Sequence, residues 1–371
     1  MHIAINTLMV HRRLHGTATY VKNLVPALAR LDSQHRYTLY VSEESASHFQ
    51  GLGPSFELVR CGLPRPLRVL WEQTFLPRDL RRRGVEVFHG PGFIVPLAGA
   101  GRRVTTIHDL TFFALPEAHT FAKRHYFKTL IPLCAQASRL VIAVSESTRQ
   151  DLIRLLGVRP EKIKVIHLGK SEAFRPVEDE AVLSPLRKKY GLAKRFLLFV
   201  GMIEPRKNLE TLVRAYAQLK DLQNDYSLVV AGPWGWNYTP LLRLVEALGL
   251  KDKILFPGYV AEAELPALYS AAEVFVYPSL AEGFGLPVLE AMACGVPVIT
   301  SNVSSLPEVA GEAALLVDPK SVEQLAAAME RVLTGDVLRR ELREKGLRRA
   351  QFFSWEKTAR ETLEAYQQAA A

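Results

Sequence analysis

Short apolar runs alternate with amphipathic stretches twice over along this chain, and that alternation constrains the fold more than any other feature. In the first half the apolar runs fall at residues 2–6, 37–41, 85–89, 104–108 and 140–144, with a helical stretch at 19–31 between two of them. A second series has apolar runs at 196–200, 228–231, 254–257, 274–277, 298–300 and 314–317, and helical periodicity at 209–219, 239–248, 264–271 and 322–333. Strands separated by helices pair in parallel and need helices on both faces. The pattern therefore predicts an α/β protein with two doubly wound sheets. At 371 residues the chain is also long for one core. The boundary is expected in the proline-punctuated stretch 169–185, which reads as a linker between a first domain over 1–170 and a second over 171–353. Ligands of such sheets sit at the carboxyl ends of the strands.

Composition narrows the setting. Cys61, Cys134 and Cys294 are far apart and share no metal-ligand spacing, which fits a reduced, cytoplasmic compartment better than a disulfide framework. Residues 1–10 are apolar but lack the flanks of a signal peptide, and no window approaches the roughly 18 apolar residues of a spanning helix. The net charge of +9 is unevenly spread: residues 1–170 carry 24 Lys and Arg against 12 Asp and Glu, whereas 171–371 carry 23 against 26. In the basic half, Arg65, Arg68, Arg78, Arg81, Arg82 and Arg83 alternate with Leu67, Val69, Leu70, Trp71, Phe75 and Leu76, and a second cluster runs Lys123, Arg124, His125, Tyr126, Phe127, Lys128. Basic residues mixed with aromatics suit the surface of an anionic membrane or an acidic acceptor. A solvated arginine face accounts for the same residues. No recognition motif for nucleic acid accompanies the charge.

The strongest chemical signal lies between Glu282 and Glu290, which bracket Gly283, Phe284, Gly285, Leu286, Pro287, Val288 and Leu289. Pro287 suits the first turn of a helix that continues through Met292 to a stop at Gly295. Unpaired N–H groups at that helix start attract an anion, and the two glycines remove the side chains that would keep a phosphate away. Phosphates repel carboxylates, so the natural partners of the two glutamates are sugar hydroxyls. Phosphate and sugar together point to a nucleotide sugar. Taken alone, such a pair of glutamates is more often solvated charge or a complement to the helix end.

Other predicted strand ends carry compatible chemistry. The stretch Val200, Gly201, Met202, Ile203, Glu204, Pro205, Arg206, Lys207, Asn208 closes one strand and opens a helix, placing two cations where a diphosphate can be met. His108-Asp109 ends a second strand and His89-Gly90-Pro91-Gly92 a third, where a histidine gains weight as a cleft residue. Gly16 would let backbone approach a phosphate between the first strand and first helix. No G-x-G-x-x-G follows that strand and no Walker lysine motif occurs, which argues against a nicotinamide enzyme and a P-loop NTPase. No metal is expected; Glu178, Asp179 and Glu180 are a weak candidate in the linker stretch.

These residues together resemble glycosyltransferase family 4, retaining enzymes of the GT-B fold. The resemblance rests on Gly201 to Leu209, Pro257-Gly258-Tyr259-Val260, Tyr277-Pro278-Ser279, Glu282 to Pro287, Glu290-Ala291-Met292-Ala293, Gly295, Pro307-Glu308-Val309 and Phe353-Ser354-Trp355-Glu356, in order over nearly the whole chain. Within the family it is similar to bacterial mannosyltransferases that build surface polysaccharides. The resemblance implies two Rossmann-like domains facing across a cleft, with residues 354–371 crossing back to the first. It also implies roles. Glu290 would bind the ribose hydroxyls of the donor nucleotide, and Glu282 the hydroxyls of the transferred sugar. Backbone N–H groups of Phe284, Gly285 and Leu286, beside Gly283, would contact sugar and phosphate, with Tyr259 and Val260 along the base. Arg206 and Lys207 would neutralise the diphosphate in place of a metal ion, Gly16 would close on the donor, and His108 would sit by the reacting sugar. Two positions depart from the family: Met202 stands in the donor site where many members carry arginine, and Ala18 where relatives often have glycine.

The implied activity is transfer of a hexose, mannose from GDP-mannose being favoured, to a glycan or lipid-linked acceptor, without a cofactor. A UDP-sugar donor and a nucleotide-sugar epimerase of the same fold remain alternatives. A glycosidase using Glu282 and Glu290 leaves the glycines and the basic pair without a purpose. A non-catalytic nucleotide or membrane-binding module would bind donor without turnover.

Overall fold

The computed structural model describes residues 1–10, 16–99, 101–115 and 121–371, and of residues 65, 66 and 121–123 only the backbone. Arg65 and Lys123 of the two basic clusters thus lie outside the described side chains. The chain forms two compact units, one of residues 1–169 and 353–371, the other of residues 170–352.

The first unit holds a parallel seven-stranded sheet of β1 (His2–Asn6), β2 (Arg36–Val41), β3 (Phe56–Arg60), β4 (Val87–Gly90), β5 (Arg102–Ile107), β6 (Leu140–Ala143) and β7 (Ile163–Val165), in the order β3-β2-β1-β4-β5-β6-β7. Helices cover both faces, which is why Ile3, Ala4 and Ile5, or Val141, Ile142 and Ala143, follow one another as fully buried apolar residues. The C-terminal helix Trp355–Ala370 belongs to this unit and packs on the helix Thr17–Leu31. Buried hydrogen bonds fix it: the Tyr366 hydroxyl lies 2.7 Å from His89 Nδ1, and His89 Nε2 lies 2.8 Å from Thr106 Oγ1. Burial, with repulsion from His108, lowers the pKa of His89 to about 3, so the ring stays neutral and each nitrogen keeps its neutral partner.

The second unit holds a parallel six-stranded sheet of β8 (Phe196–Val200), β9 (Ser227–Ala231), β10 (Ile254–Gly258), β11 (Val274–Tyr277), β12 (Val298–Ser301) and β13 (Ala314–Val317), in the order β10-β9-β8-β11-β12-β13. In each sheet the order reverses once, between β1 and β4 and between β8 and β11. Connections leave these neighbours in opposite directions, which opens a crevice at their carboxyl ends.

Several elements differ from the sequence expectation. The stretch expected as a linker contains the helix Glu180–Tyr190, with Pro185 inside it. Asp179 caps this helix by accepting the Ala181 N–H, and Leu183 and Leu186 bury one face, which outweighs the one backbone hydrogen bond that the proline removes. β5 ends at Ile107, so His108 stands just past the strand. β3 and β7 lack an unbroken apolar run, and the helix Asp336–Ala350 buries only Leu342, Gly346 and Ala350, too few to give a clear helical period.

Glycine is required where β8 and β9 end side by side. At Gly232, φ is +146° and a Cβ would overlap the carbonyl oxygen of Gly201. Gly232→Ala is expected to destabilise the second unit by ~2 kcal/mol or more, seen as a lower thermal midpoint by circular dichroism. Gly62→Ala, where the added atom meets nothing, should leave the midpoint in place. Equal midpoints for both variants would mean that the strand ends yield without cost.

Candidate active site at the switch point of the second sheet

The second sheet's crevice gathers side chains from the loops that follow β8 and β11. After β8 the chain makes a short 3₁₀ turn, Pro205–Lys207, which ends on Asn208 in the left-handed region at φ 58°. Asparagine tolerates that conformation, and its side chain anchors the turn: Nδ2 donates to the carbonyls of Pro278 at 3.0 Å and Pro319 at 2.6 Å. The turn thereby presents Arg206 and Lys207 to Glu282, in the loop beyond β11.

Glu282 is the hub of the cluster. Its Oε1 accepts from Lys207 Nζ at 2.6 Å, Ser279 Oγ at 2.6 Å and the Tyr277 hydroxyl at 3.0 Å, while Oε2 accepts from Arg206 Nη1 at 2.9 Å. Lys207 is 7% exposed; it also donates to the Tyr277 oxygen at 2.6 Å and lies over that ring. Arg206 donates to Glu204 Oε1 from Nη2 at 2.9 Å and to the Ala281 carbonyl at 2.8 Å. Two cations thus face two carboxylates, with few open valences. Burial would raise the pKa of Glu282, but Arg206 and Lys207 outweigh it and hold the group at about 2. For Lys207, burial and the neighbouring guanidinium lower the pKa against the pull of Glu282. The buried ion pair is supported by the further hydrogen bonds from Ser279 and Tyr277 to Glu282 Oε1.

The glycine loop is shaped from β12. Ser305 Oγ lies 2.9 Å from the carbonyls of both Glu282 and Phe284, and Ser304 Oγ donates to the Glu282 carbonyl at 2.5 Å while accepting its N–H at 3.1 Å. Gly285 adopts φ 103°, and a side chain there would press on Leu306 Cδ2 at 2.8 Å. The helix Leu286–Ala293 starts directly after it, with Pro287 in its first turn and no side-chain cap. Pro287 has no N–H and Val288 donates to the Gly285 carbonyl at 3.0 Å, so in the first turn it is the Leu286 N–H that lacks an intrahelical partner. Gly283 and Phe284 are buried in the same loop.

Glu290 lies one turn into that helix and is partly buried. The Tyr269 hydroxyl donates to its Oε2 at 3.0 Å, and no cation pairs with it among the described residues. Burial, helped by the charge of Glu262 and opposed by Tyr269, raises its pKa to about 8. Tyr259, exposed, and Val260, buried, follow β10, while Met202 follows β8 with its side chain beside Gly235. Glu178, Asp179 and Glu180 serve an Arg343 pair, the helix cap and an Arg187 pair. No group of three metal-ligating side chains occurs among the described residues.

Gly16 and His108 belong to the first unit. Gly16 precedes the helix Thr17–Leu31 at φ 42°, with open space where a side chain would stand. His108 Nε2 donates to the Pro91 carbonyl at 2.8 Å, and the ring packs edge-on against Tyr20 and Phe93. Burial lowers its pKa, with the Pro91 carbonyl and Asp109 opposing, so the neutral ring keeps its lone pair on Nδ1. Glu204, Tyr277 and Ser279 fall in segments marked in the sequence but had no role there, and Ser304 and Ser305 were not marked at all. The signal for the first three was their position beside the switch point; nothing local marked the two serines.

The pKa of Glu290 makes a sign-definite prediction. Its unfolded value is 4.5 and its folded value about 8, so its contribution to stability is complete below 4.5 and is lost as pH rises through 8. Glu290→Gln should raise the thermal midpoint at about pH 9 and leave it unchanged at about pH 4. A midpoint lowered at both would indicate an ionised carboxylate paired in the fold.

Two family models match the chain: Glycosyltransferase Family 4 over residues 14–170 and Glycosyl transferases group 1 over residues 185–349. The chain is 39% identical to the O-antigen chain mannosyltransferase B of Escherichia coli over 282 residues, which is 76% of this chain and 74% of that protein. It is 37% identical to a serotype-specific mannosyltransferase of Escherichia coli over 234 residues, 61% of this chain and 28% of that longer protein. Among solved structures, a sucrose-phosphate synthase from Thermosynechococcus elongatus superposes with a TM-score of 0.80 at 25% identity, over 99% of this chain and 98% of the other.

Proposed function

The chain belongs to glycosyltransferase family 4 and is a hexosyltransferase, and we propose that it moves mannose from GDP-mannose to a glycan or lipid-linked hydroxyl with retention of configuration. Mannose is favoured by the two mannosyltransferase relatives. The observation that carries the reading is the joining of Arg206, Lys207 and Glu282 at the switch point, next to a glycine loop that opens a helix.

In this reaction a nucleoside diphosphate leaves an oxocarbenium-like sugar and an acceptor hydroxyl takes its place. Negative charge grows on the departing phosphate, so groups that bind it more tightly as it leaves accelerate the step. Arg206, Lys207 and the N–H groups of Gly285 and Leu286, where the helix Leu286–Ala293 begins, are the candidates. They supply fixed positive charge in a dry setting, and this proposal therefore requires no metal ion or other cofactor. Glu282 divides its work: Oε1 is saturated by three donors, whereas Oε2 has one, which leaves it a lone pair for a hydroxyl of the transferred sugar. Glu290 takes the ribose hydroxyls, and Tyr259 and Val260 line the base.

The acceptor is assigned to the basic first unit. There Leu70 is 61% and Phe75 63% exposed, next to exposed Arg78, Arg81 and Arg82, an arrangement that suits an anionic membrane surface. No helix among the described residues is long and apolar enough to cross a membrane. Sedimentation with vesicles containing anionic lipid should therefore capture the protein in a salt-sensitive way; salt-independent binding or none would remove the membrane from this picture.

A thermal-shift screen of nucleotide sugars tests the donor, since a ligand that binds only the folded state raises its midpoint. GDP-mannose should shift it most; a larger shift by UDP-sugars would reassign the donor. Arg206→Ala and Lys207→Ala should each lower turnover ~100-fold or more. Loss of Glu290 should mainly raise the donor KM and loss of Glu282 mainly lower kcat. Unchanged turnover in both cation variants would overturn the assignment.

A further inference from the structure

One carboxyl of the first unit has no part in the reading above. Glu72, in the helix Arg65–Thr74, is 8% exposed and reaches the carboxyl end of β1, where Asn6 Nδ2 donates to its Oε1 at 2.7 Å. β1 and β4 are the central neighbours between which the first sheet reverses, so this is the crevice position of that sheet. Asn6 is itself immobilised, because its Oδ1 accepts the Leu8 N–H at 3.1 Å. Arg68, one turn before Glu72, spends its guanidinium on the carbonyls of Leu8 at 2.8 Å and Leu63 at 3.0 Å and forms no ion pair with Glu72. Glu72 Oε2 accepts no hydrogen bond from any described residue, yet it is not sealed from solvent.

A second open group lies within the electrostatic reach of the first. Tyr126, half-buried in the helix Phe121–Ala137, makes no hydrogen bond through its hydroxyl with any described residue. Burial and the charge of Glu72 raise its pKa to about 12, so it remains a donor. Burial pushes Glu72 up to about 7, only partly opposed by Asn6 and Arg68. A buried carboxyl with one amide donor and no cation is costly to the fold. A glutamine would satisfy Asn6 equally well, so packing alone does not account for the acid.

We propose that Glu72 Oε2 and the Tyr126 hydroxyl bind hydroxyl groups of the acceptor sugar at the switch point of the first sheet. This rests on the glycosyltransferase reading. The chemistry is complementary: one sugar hydroxyl donates to the carboxylate and another accepts from the phenol. Asn6 acts as a positioning residue that holds Glu72 Oε1 so that Oε2 stays open.

Saturation-transfer NMR with methyl α-mannoside, methyl α-glucoside and methyl N-acetyl-β-glucosaminide, in the presence of GDP, tests the site. At least one glycoside should bind the wild-type protein, and about tenfold more weakly to Glu72→Gln and to Tyr126→Phe. Glu72→Gln should melt no lower than wild type, which separates lost binding from lost folding. Equal binding by Glu72→Gln, or no binding of any glycoside to the wild type, overturns the proposal. The midpoint shift by GDP-mannose, measured on the same samples, keeps the two readings apart. If it is absent from the wild type, the donor assignment fails; if it is intact while the glycoside results are negative, only the acceptor site fails.

Discussion

The carboxylate of Glu282 is the group on which the second unit's site depends. It ties the loop after β8 to the loop after β11 by accepting from Arg206, Lys207, Ser279 and Tyr277 at once. Removing one partner of a buried pair leaves an uncompensated charge, at a cost of about 3–5 kcal/mol. The cations therefore do not wait bare for an anionic ligand. Carboxylates hold them in place, and Glu204 keeps the Arg206 fork oriented. A cluster of two cations and two acids resists collapse in the free protein and is preorganised when a diphosphate adds its own charge.

Not every acid of the chain is handled in this way. Glu282 is paired with two cations and held ionised, whereas Glu290 and Glu72 each rest on a single neutral donor, Tyr269 and Asn6, and both have raised pKa values. Acids left short of partners at crevice positions are destabilising for the fold, and that is the usual signature of groups kept for a ligand. The contrast separates an acid locked in an ion cluster from acids left open more sharply than sequence spacing does. Glu282 and Glu290 bracket one glycine loop, yet one sits in an ion cluster and the other faces a phenol.

Much of the fold was legible because parallel strands buried on both faces leave unbroken apolar runs, as at Phe196 to Val200 and Val274 to Tyr277. The helix after the glycine loop was equally plain, since Pro287 and Gly295 punctuate both of its ends. The helix Glu180–Tyr190 was hidden by Pro185, because a proline reads as a break even where a cap and two buried leucines prevail. The helix Asp336–Ala350 was hidden by its charge. Within the site, spacing brought Arg206, Lys207 and Glu282 to strand ends. It could not tell that they meet in one cluster, since that depends on β8 and β11 being neighbours in the sheet and on Asn208 turning the chain. Ser304 and Ser305 act through the carbonyls of Glu282 and Phe284, contacts that no local pattern encodes.

Whether the cluster is one unit built for a nucleoside diphosphate is tested most directly by a double-mutant cycle. Lys207→Met and Glu282→Gln, singly and together, would be titrated with GDP by calorimetry. Partners in one network should show losses of affinity that fail to add by about 1 kcal/mol or more, as coupled charges do. Losses that add to within about 0.5 kcal/mol, or an affinity that neither substitution changes, would contradict it.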